Sequence, residues 1–189
     1  MEILKKLWGF LADSLQTLLL AASIFLVIYI FLFRPFQVNG ISMFPTFKNG
    51  EYILTNLITL RLHTLERGDV IVFIAPTDNT KDFIKRVIGL PGETVMLHDG
   101  FVYINGKKLD ESAYLHSDVR TYAGAFLRED EPFTVPPGDL FVMGDNRPES
   151  SDSRYFGPIK LTSVIGKSFF VYWPATAMRV VTNPFDKSK

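Results

Sequence analysis

Residues 15–39 read LQTLLLAASIFLVIYIFLFRPFQVN, and the texture of the chain changes inside this stretch. From Leu15 to Phe33 there is no charge, and the only polar breaks are Gln16, Thr17 and Ser23. Nineteen helical residues rise about 28 Å, against a hydrocarbon core of ~30 Å, so the run predicts a helix that spans a membrane once. Lys5 and Lys6 precede the run and Arg34 follows it, a bias that puts residues 1–14 in the cytoplasm and the rest of the chain outside. A cleaved leader would have a shorter apolar run, about 7 to 15 residues, ending in a pair of small residues. Arg34-Pro35-Phe36-Gln37-Val38-Asn39 offers no such pair, and the expectation is an uncleaved anchor over 15–33.

Beyond Pro35 the continuous apolar texture gives way to short alternating runs separated by Gly, Pro, Asn and Asp, the pattern of a mostly β domain of antiparallel strands. The runs predict strands at 36–38, 52–58, 69–74, 83–88, 94–97, 101–104, 140–143 and 168–172, coiled as one sheet around a core. Asp99-Gly100 and Asn105-Gly106 supply the positive-φ positions of tight hairpin turns. Residues 110–132 are polar, irregular and long for a connection, an excursion whose role the pattern does not define. The domain is expected over 34–182, followed by a frayed tail from Asn183 to Lys189. Phe169, Phe170 and Trp173 read as a core strand rather than as interfacial aromatics.

Composition narrows the chemistry. The 189 residues are 47 % apolar with seventeen Phe, enough for a core, and 20 basic residues balance 20 acidic ones, so no charge excess recruits nucleic acid. The absence of cysteine excludes thiol catalysis, disulfides and thiolate metal sites. His63, His98 and His116 are scattered without the spacing of a zinc site, and no metal or cofactor is expected.

Three stretches remain that can do chemistry. Gly40-Ile41-Ser42-Met43-Phe44-Pro45-Thr46 holds a serine at a sharp change of direction, close after the apolar run. In Phe83-Ile84-Lys85-Arg86-Val87-Ile88, alternation puts Lys85 between Phe83 and Val87, where desolvation would lower its pKa and make it a base; reading Lys85 and Arg86 simply as solvated strand charges fits this stretch at least as well. Gly144-Asp145-Asn146-Arg147-Pro148-Glu149-Ser150-Ser151-Asp152-Ser153-Arg154 is dense in short hydrogen-bonding side chains and suggests a charge-assisted network.

The Ser-Met-x-Pro-Thr box at Ser42, Gly68-Asp69-Val70, Lys85-Arg86 and Gly144-Asp145-Asn146-Arg147, in that order, resemble the successive boxes of bacterial type I signal peptidases, in their Gram-positive-like single-anchor form. The resemblance covers the anchor and nearly all of the domain. It implies a membrane-bound serine endopeptidase with a Ser–Lys dyad, Ser42 attacking and Lys85 taking its proton, that removes signal peptides from exported preproteins after small residues. It also implies that Ser150 orients the lysine, that Asp145, Arg147, Asp152 and Arg154 hold the scaffold, and that Phe36, Gln37 and Val38 form the strand along which substrate lies. Gly40, Met43, Phe83 and Ile84 would flank its small pockets. The implied partners are preproteins and the lipid bilayer of the plasma membrane.

One position departs from the best-described members, in which a serine at the place of Gly40 donates to the oxyanion. Ser42 N–H is then the remaining donor. Two readings of the glycine compete, a tolerated absence or a backbone that needs a positive φ, and the first is favoured because Ile41-Ser42 should be extended. Two rivals belong to other classes. An inactive tethered binding module would not need both Ser42 and Lys85, and a self-cleaving repressor-type protease would carry a DNA-binding segment where this chain has its apolar run.

Overall fold

The computed structural model describes residues 1–58 and 64–186, so His63 lies outside the described residues. They form two units, residues 1–34 and the described residues from Pro35 onward. The first is the helix α1, Glu2–Leu32. It starts at Glu2 rather than at Leu15, and its 31 residues measure about 46 Å. The stretch Glu2–Val27 is long and apolar enough to cross a membrane, and its side chains are not buried within the fold. Helical geometry ends at Phe33, already extended with φ −133° and ψ 140°. Pro35 explains the stop, because it has no N–H to donate and biases the preceding Arg34 to extended geometry.

The second unit is mostly β and antiparallel. Its strands are β1 (Phe33–Gln37), β2 (Tyr52–Asn56), β3 (Val70–Ile74), β4 (Asp82–Gly89), β5 (Thr94–His98), β6 (Phe101–Ile104), β7 (Lys107–Lys108), β8 (Phe133–Thr134), β9 (Asp139–Met143), β10 (Ile159–Lys160), β11 (Val164–Trp173) and β12 (Arg179–Val180). Where one sheet was expected there are two. The larger runs β1-β2-β11-β3-β4-β9-β10 with β12 on β11, and the smaller runs β7-β6-β5-β8. The Asp99-Gly100 and Asn105-Gly106 turns, with Asp99 and Asn105 at φ 51°, make β5, β6 and β7 a local meander that forms its own sheet.

β4 is covered on both faces. Phe83 and Val87 pack with Ile71, Phe73 and Val142, Ile84 packs with Val70 and Val72, and Ile88 joins the core against the smaller sheet. The register pairs Lys85 with Ile71 of β3 and Arg86 with both Val70 of β3 and Met143 of β9. Both charges therefore sit inside the sheet, so the reading of Lys85 and Arg86 as solvated strand charges does not hold.

The tail is not frayed over its described part. Asn183 Nδ2 donates to Arg67 O at 2.9 Å and to Asp69 Oδ1 at 2.8 Å, and Phe185 packs edge-on against Tyr114. In β11, Ser168 and Val171 are buried and Phe169 and Phe170 half-buried, while Trp173 is exposed at its end.

Candidate active site

Ser42 sits in a turn closed at its base by backbone bonds. Val38 N–H donates to Glu51 O and Gly50 N–H to Val38 O, both at 2.8 Å, while Phe47 N–H closes onto Met43 O at 2.8 Å. Gly40 opens the turn with φ +103°, and its N–H is held by Asn49 Oδ1 at 2.8 Å. This corrects the expectation that the chain is extended there and that Gly40 only lacks a hydroxyl. A Cβ at Gly40 would meet no atom within 4 Å, so what a side chain resists is the torsion and not the space.

Two outside groups fix the turn. From the 144–154 loop, Asn146 N–H donates to Ser42 O at 3.0 Å and its Nδ2 to Ile41 O at 3.1 Å. From β12, Arg179 donates to both oxygens of Glu51, at 2.9 and 2.6 Å, and to Thr46 O at 2.6 Å. Burial works to raise the pKa of Glu51, but its bonds to Arg179 and to Lys48 N–H hold it below the ordinary value.

Lys85 Nζ lies 2.8 Å from Ser42 Oγ and 3.0 Å from Ile84 O, above the Phe83 ring at 5.2 Å from its centroid. The residue is 4 % exposed and, among the described residues, makes no ion pair. Burial disfavours its ammonium and lowers the pKa from 10.5 to about 8; the more distant Asp152 and Asp145 oppose that shift without cancelling it.

Its neighbour Arg86, at 2 % exposure, has the opposite environment. Nε and Nη2 grip the two oxygens of Asp145 at 2.8 and 2.7 Å, and Nη1 donates to Gly68 O at 2.7 Å. Thr46 Oγ1 adds a 2.5 Å bond to Asp145, which ties the serine turn to this pair. Arg147 donates to Gly144 O, to Thr121 Oγ1 and, through both Nη atoms, to Glu111. Arg154 forks onto Asp152, which also caps the short helix α2 (Ser153–Phe156) and accepts Gly144 N–H.

The excursion 110–132 thus gains a structural role. Glu111 closes Arg147, Thr121 bonds it, and Tyr122 O accepts from Arg154. Tyr114 donates its hydroxyl to Glu111 at 2.7 Å and lays its ring on the Arg86 guanidinium, 4.4 Å away. Burial and the nearby Glu111 charge push the Tyr114 phenol well above its ordinary value. Arg86, Glu111, Tyr114, Asn146 and Arg179 were not among the sequence-derived site residues; the adjacency of Arg86 to Lys85 and of Asn146 to Asp145 was the available signal.

Other expected roles fare differently. Ser150 is buried, but its Oγ makes no hydrogen bond among the described residues and so does not bond to Lys85. It packs on Gly144, where an added Cβ would lie 2.3 Å from it. Val38 and Met43 belong to the core, at 3 % and 1 % exposure, and the Val38 backbone is taken up by Gly50 and Glu51. They offer no reachable wall. Phe36, Gln37, Gly40, Phe83 and Ile84 retain open surface, and β1 is the last strand of its sheet. Among the described residues, no cluster of three His, Asp or Glu is arranged to hold a metal.

The β domain thus brings a serine hydroxyl into contact with a buried lysine amine. The chain belongs to the signal peptidase family, peptidase S26, whose family model matches residues 11–173. It is similar to signal peptidase I of Bacillus caldolyticus, at 41 % identity over 152 residues, covering 77 % of this chain and 82 % of that one. It is also similar to signal peptidase IB of Staphylococcus aureus (strain MRSA252), at 36 % identity over 186 residues, covering 91 % and 96 %. A crystal structure of a signal peptidase I from Enterococcus faecalis V583 is 37 % identical and matches with a TM-score of 0.45, covering 55 % of this chain and 96 % of that one.

Proposed function

We propose that this chain is a membrane-bound endopeptidase that removes signal peptides from exported preproteins after small residues, with Ser42 as nucleophile and Lys85 as general base. The 2.8 Å contact between Lys85 Nζ and Ser42 Oγ carries the reading, supported by the burial that brings the lysine to about 8. A neutral amine accepts the hydroxyl proton as Oγ attacks the scissile carbonyl, returns it to the leaving amine, and then activates the water that releases the acyl group. Ser42 N–H, which no described residue accepts, is available to the developing oxyanion.

Substrate would lie extended along the edge of β1 at Phe36 and Gln37, its small residues facing a wall of Gly40, Phe83 and Ile84. Arg86–Asp145, Arg147–Glu111 and Arg154–Asp152 would keep the two reactive groups in register. The helix α1 would supply a single-pass anchor, with its N-terminus cytoplasmic and the β domain outside. The test is incubation of the full chain in detergent with an exported preprotein, with the cut mapped by mass. Cleavage after a small residue that disappears in Ser42→Ala supports the reading; an intact preprotein overturns it.

A further inference from the structure

Ser42 N–H donates to no acceptor among the described residues, and Gly40 has no side chain to supply a second donor beside it. The direction of that one N–H therefore decides how well a developing oxyanion is met. The Ile41–Ser42 peptide is trans, so its carbonyl oxygen and its N–H point to opposite sides of one rigid plane. Whatever holds Ile41 O aims Ser42 N–H.

Asn146 holds it. Its Nδ2 donates to Ile41 O at 3.1 Å, and its backbone N–H donates to Ser42 O at 3.0 Å. The contact also sets which way the amide faces, because the reverse orientation would put Oδ1 against a second acceptor. One residue thus grips the carbonyls of two successive peptide units, and Ser42 is the residue between them. Bracing both planes fixes the backbone torsions of Ser42, and with them the directions of its Oγ and its N–H. Nδ2 lies on the carbonyl side of the Ile41–Ser42 plane, the wrong side to bond the oxyanion itself, so Asn146 acts through the peptide.

The rest of the loop keeps Asn146 in place. It is half-buried between Asp145 and Arg147, which are 2 % and 1 % exposed. Arg86 and Thr46 grip Asp145, while Arg147 donates to Gly144 O, Thr121 and Glu111. Asn146 O accepts Glu149 N–H at 3.1 Å. A Cβ on Gly144 would lie 2.4 Å from Ser42 O, so the loop backbone runs directly against the serine turn.

We propose that Asn146 is a positioning residue whose carboxamide orients the Ile41–Ser42 peptide, so that Ser42 N–H faces the oxyanion formed when Ser42 Oγ adds to the scissile carbonyl. The inference rests on Ser42 as the nucleophile of the proposed function. Without the carboxamide the peptide can tilt while Asn146 N–H still holds Ser42 O, which misaims the donor and leaves the Ser42–Lys85 contact in place. A preorganised donor contributes as negative charge develops, so its loss falls on kcat rather than on KM.

The experiment compares full-length wild-type, Ser42→Ala, Asn146→Leu and Asn146→Ala proteins in detergent, on a preprotein whose leader ends in Ala-x-Ala. Leucine keeps the size of asparagine without its donor, and alanine covers the case in which leucine disturbs packing. Steady-state rates are followed across the titration of Lys85, and melting by circular dichroism. Binding is measured for a peptide boronate, whose tetrahedral adduct with Ser42 carries the negative charge of the oxyanion, beside the amide of the same peptide, which forms no adduct. The expected result is a kcat lowered about tenfold to a hundredfold, a KM within about twofold, and boronate affinity weakened by the same factor as kcat while the amide binds as before. The pH midpoint stays near 8 and the melting point is unchanged, which a disturbed dyad or a loosened fold would not permit. A loss confined to KM, a loss that vanishes above the midpoint, boronate affinity equal to wild type, a lower melting point in both variants, or kcat kept by both overturns the positioning role and leaves the proposed function standing. A preprotein left intact by the wild type overturns both.

Discussion

Lys85 and Arg86 are consecutive residues of one strand, equally hidden from water at 4 % and 2 % exposure, and they have opposite electrostatic surroundings. Arg86 meets a carboxylate fork, a carbonyl and an aromatic face, so its charge is compensated on every side. Lys85 meets a hydroxyl, a carbonyl and a ring, and no carboxylate touches it, so desolvation brings it to about 8. Burial alone therefore does not decide what a basic residue does. The partner decides whether burial yields a permanent structural cation or an amine able to shed its proton.

The largest effect should come from removing the uncompensated member or its serine. Ser42→Ala and Lys85→Ala should each lower kcat/KM for a preprotein by about a thousandfold or more, and the double variant should lose no more than either, since the two act as a unit. Lys85→Arg should be equally inactive, because a guanidinium stays protonated above pH 12. Activity of that variant would break the contrast by showing that the site wants only a charge. The pH profile sharpens it: the folded lysine is mostly protonated below about 8, so kcat/KM should fall about tenfold per pH unit beneath that midpoint and level off above it. A midpoint near 10 would mean that burial does not tune Lys85.

The compensated member should act on stability. Arg86→Ala leaves Asp145 buried without its partner and should cost ~3–5 kcal/mol in a denaturant titration, with Arg86→Lys recovering only part because an ammonium cannot bridge both oxygens. An Arg86→Ala variant as stable as the wild type would remove the pair from the scaffold. Glu111→Ala withdraws one anchor from Arg147 and should cost about 1–3 kcal/mol, less than the loss at Arg86, because Gly144 O and Thr121 still hold the guanidinium. The smallest effect is expected at Gly40. Strain at φ +103° should cost ~1 kcal/mol, so Gly40→Ser and Gly40→Ala should lower kcat/KM alike, by about fivefold. A serine variant well above the alanine variant would show that a hydroxyl there contributes a donor.

The strand pattern revealed the face shared by Phe83, Lys85 and Val87, because alternation is a local property of an extended chain, and the DG and NG turns revealed the meander for the same reason. Arg86 went unread because its burial depends on Asp145, 59 residues away, and on Tyr114 from the excursion. Gly40 was misread because its torsion is set by the closure of 38–51 on itself, which no run of residue types announces. Val38 reads as part of the substrate strand and Met43 as a pocket wall, yet their apolar side chains pack into the core with Phe47, Ile53 and Val171. The excursion reads as loose from its composition, and only the three-dimensional proximity of Glu111 and Thr121 to Arg147 explains its order.

Arg179 reaches Glu51 and Thr46 across sequence separations of 128 and 133 residues, and Thr46 meets Asp145 across 99. The Arg179 bonds cannot form until the chain as far as β12 has been made, and contacts of such high sequence separation form slowly. Ser42 is made early, but its turn acquires its last brace only after nearly the whole domain has been synthesised. A chain that stops short of Arg179 carries the hydroxyl and the amine without the bonds to Glu51 and Thr46 O that brace the serine turn.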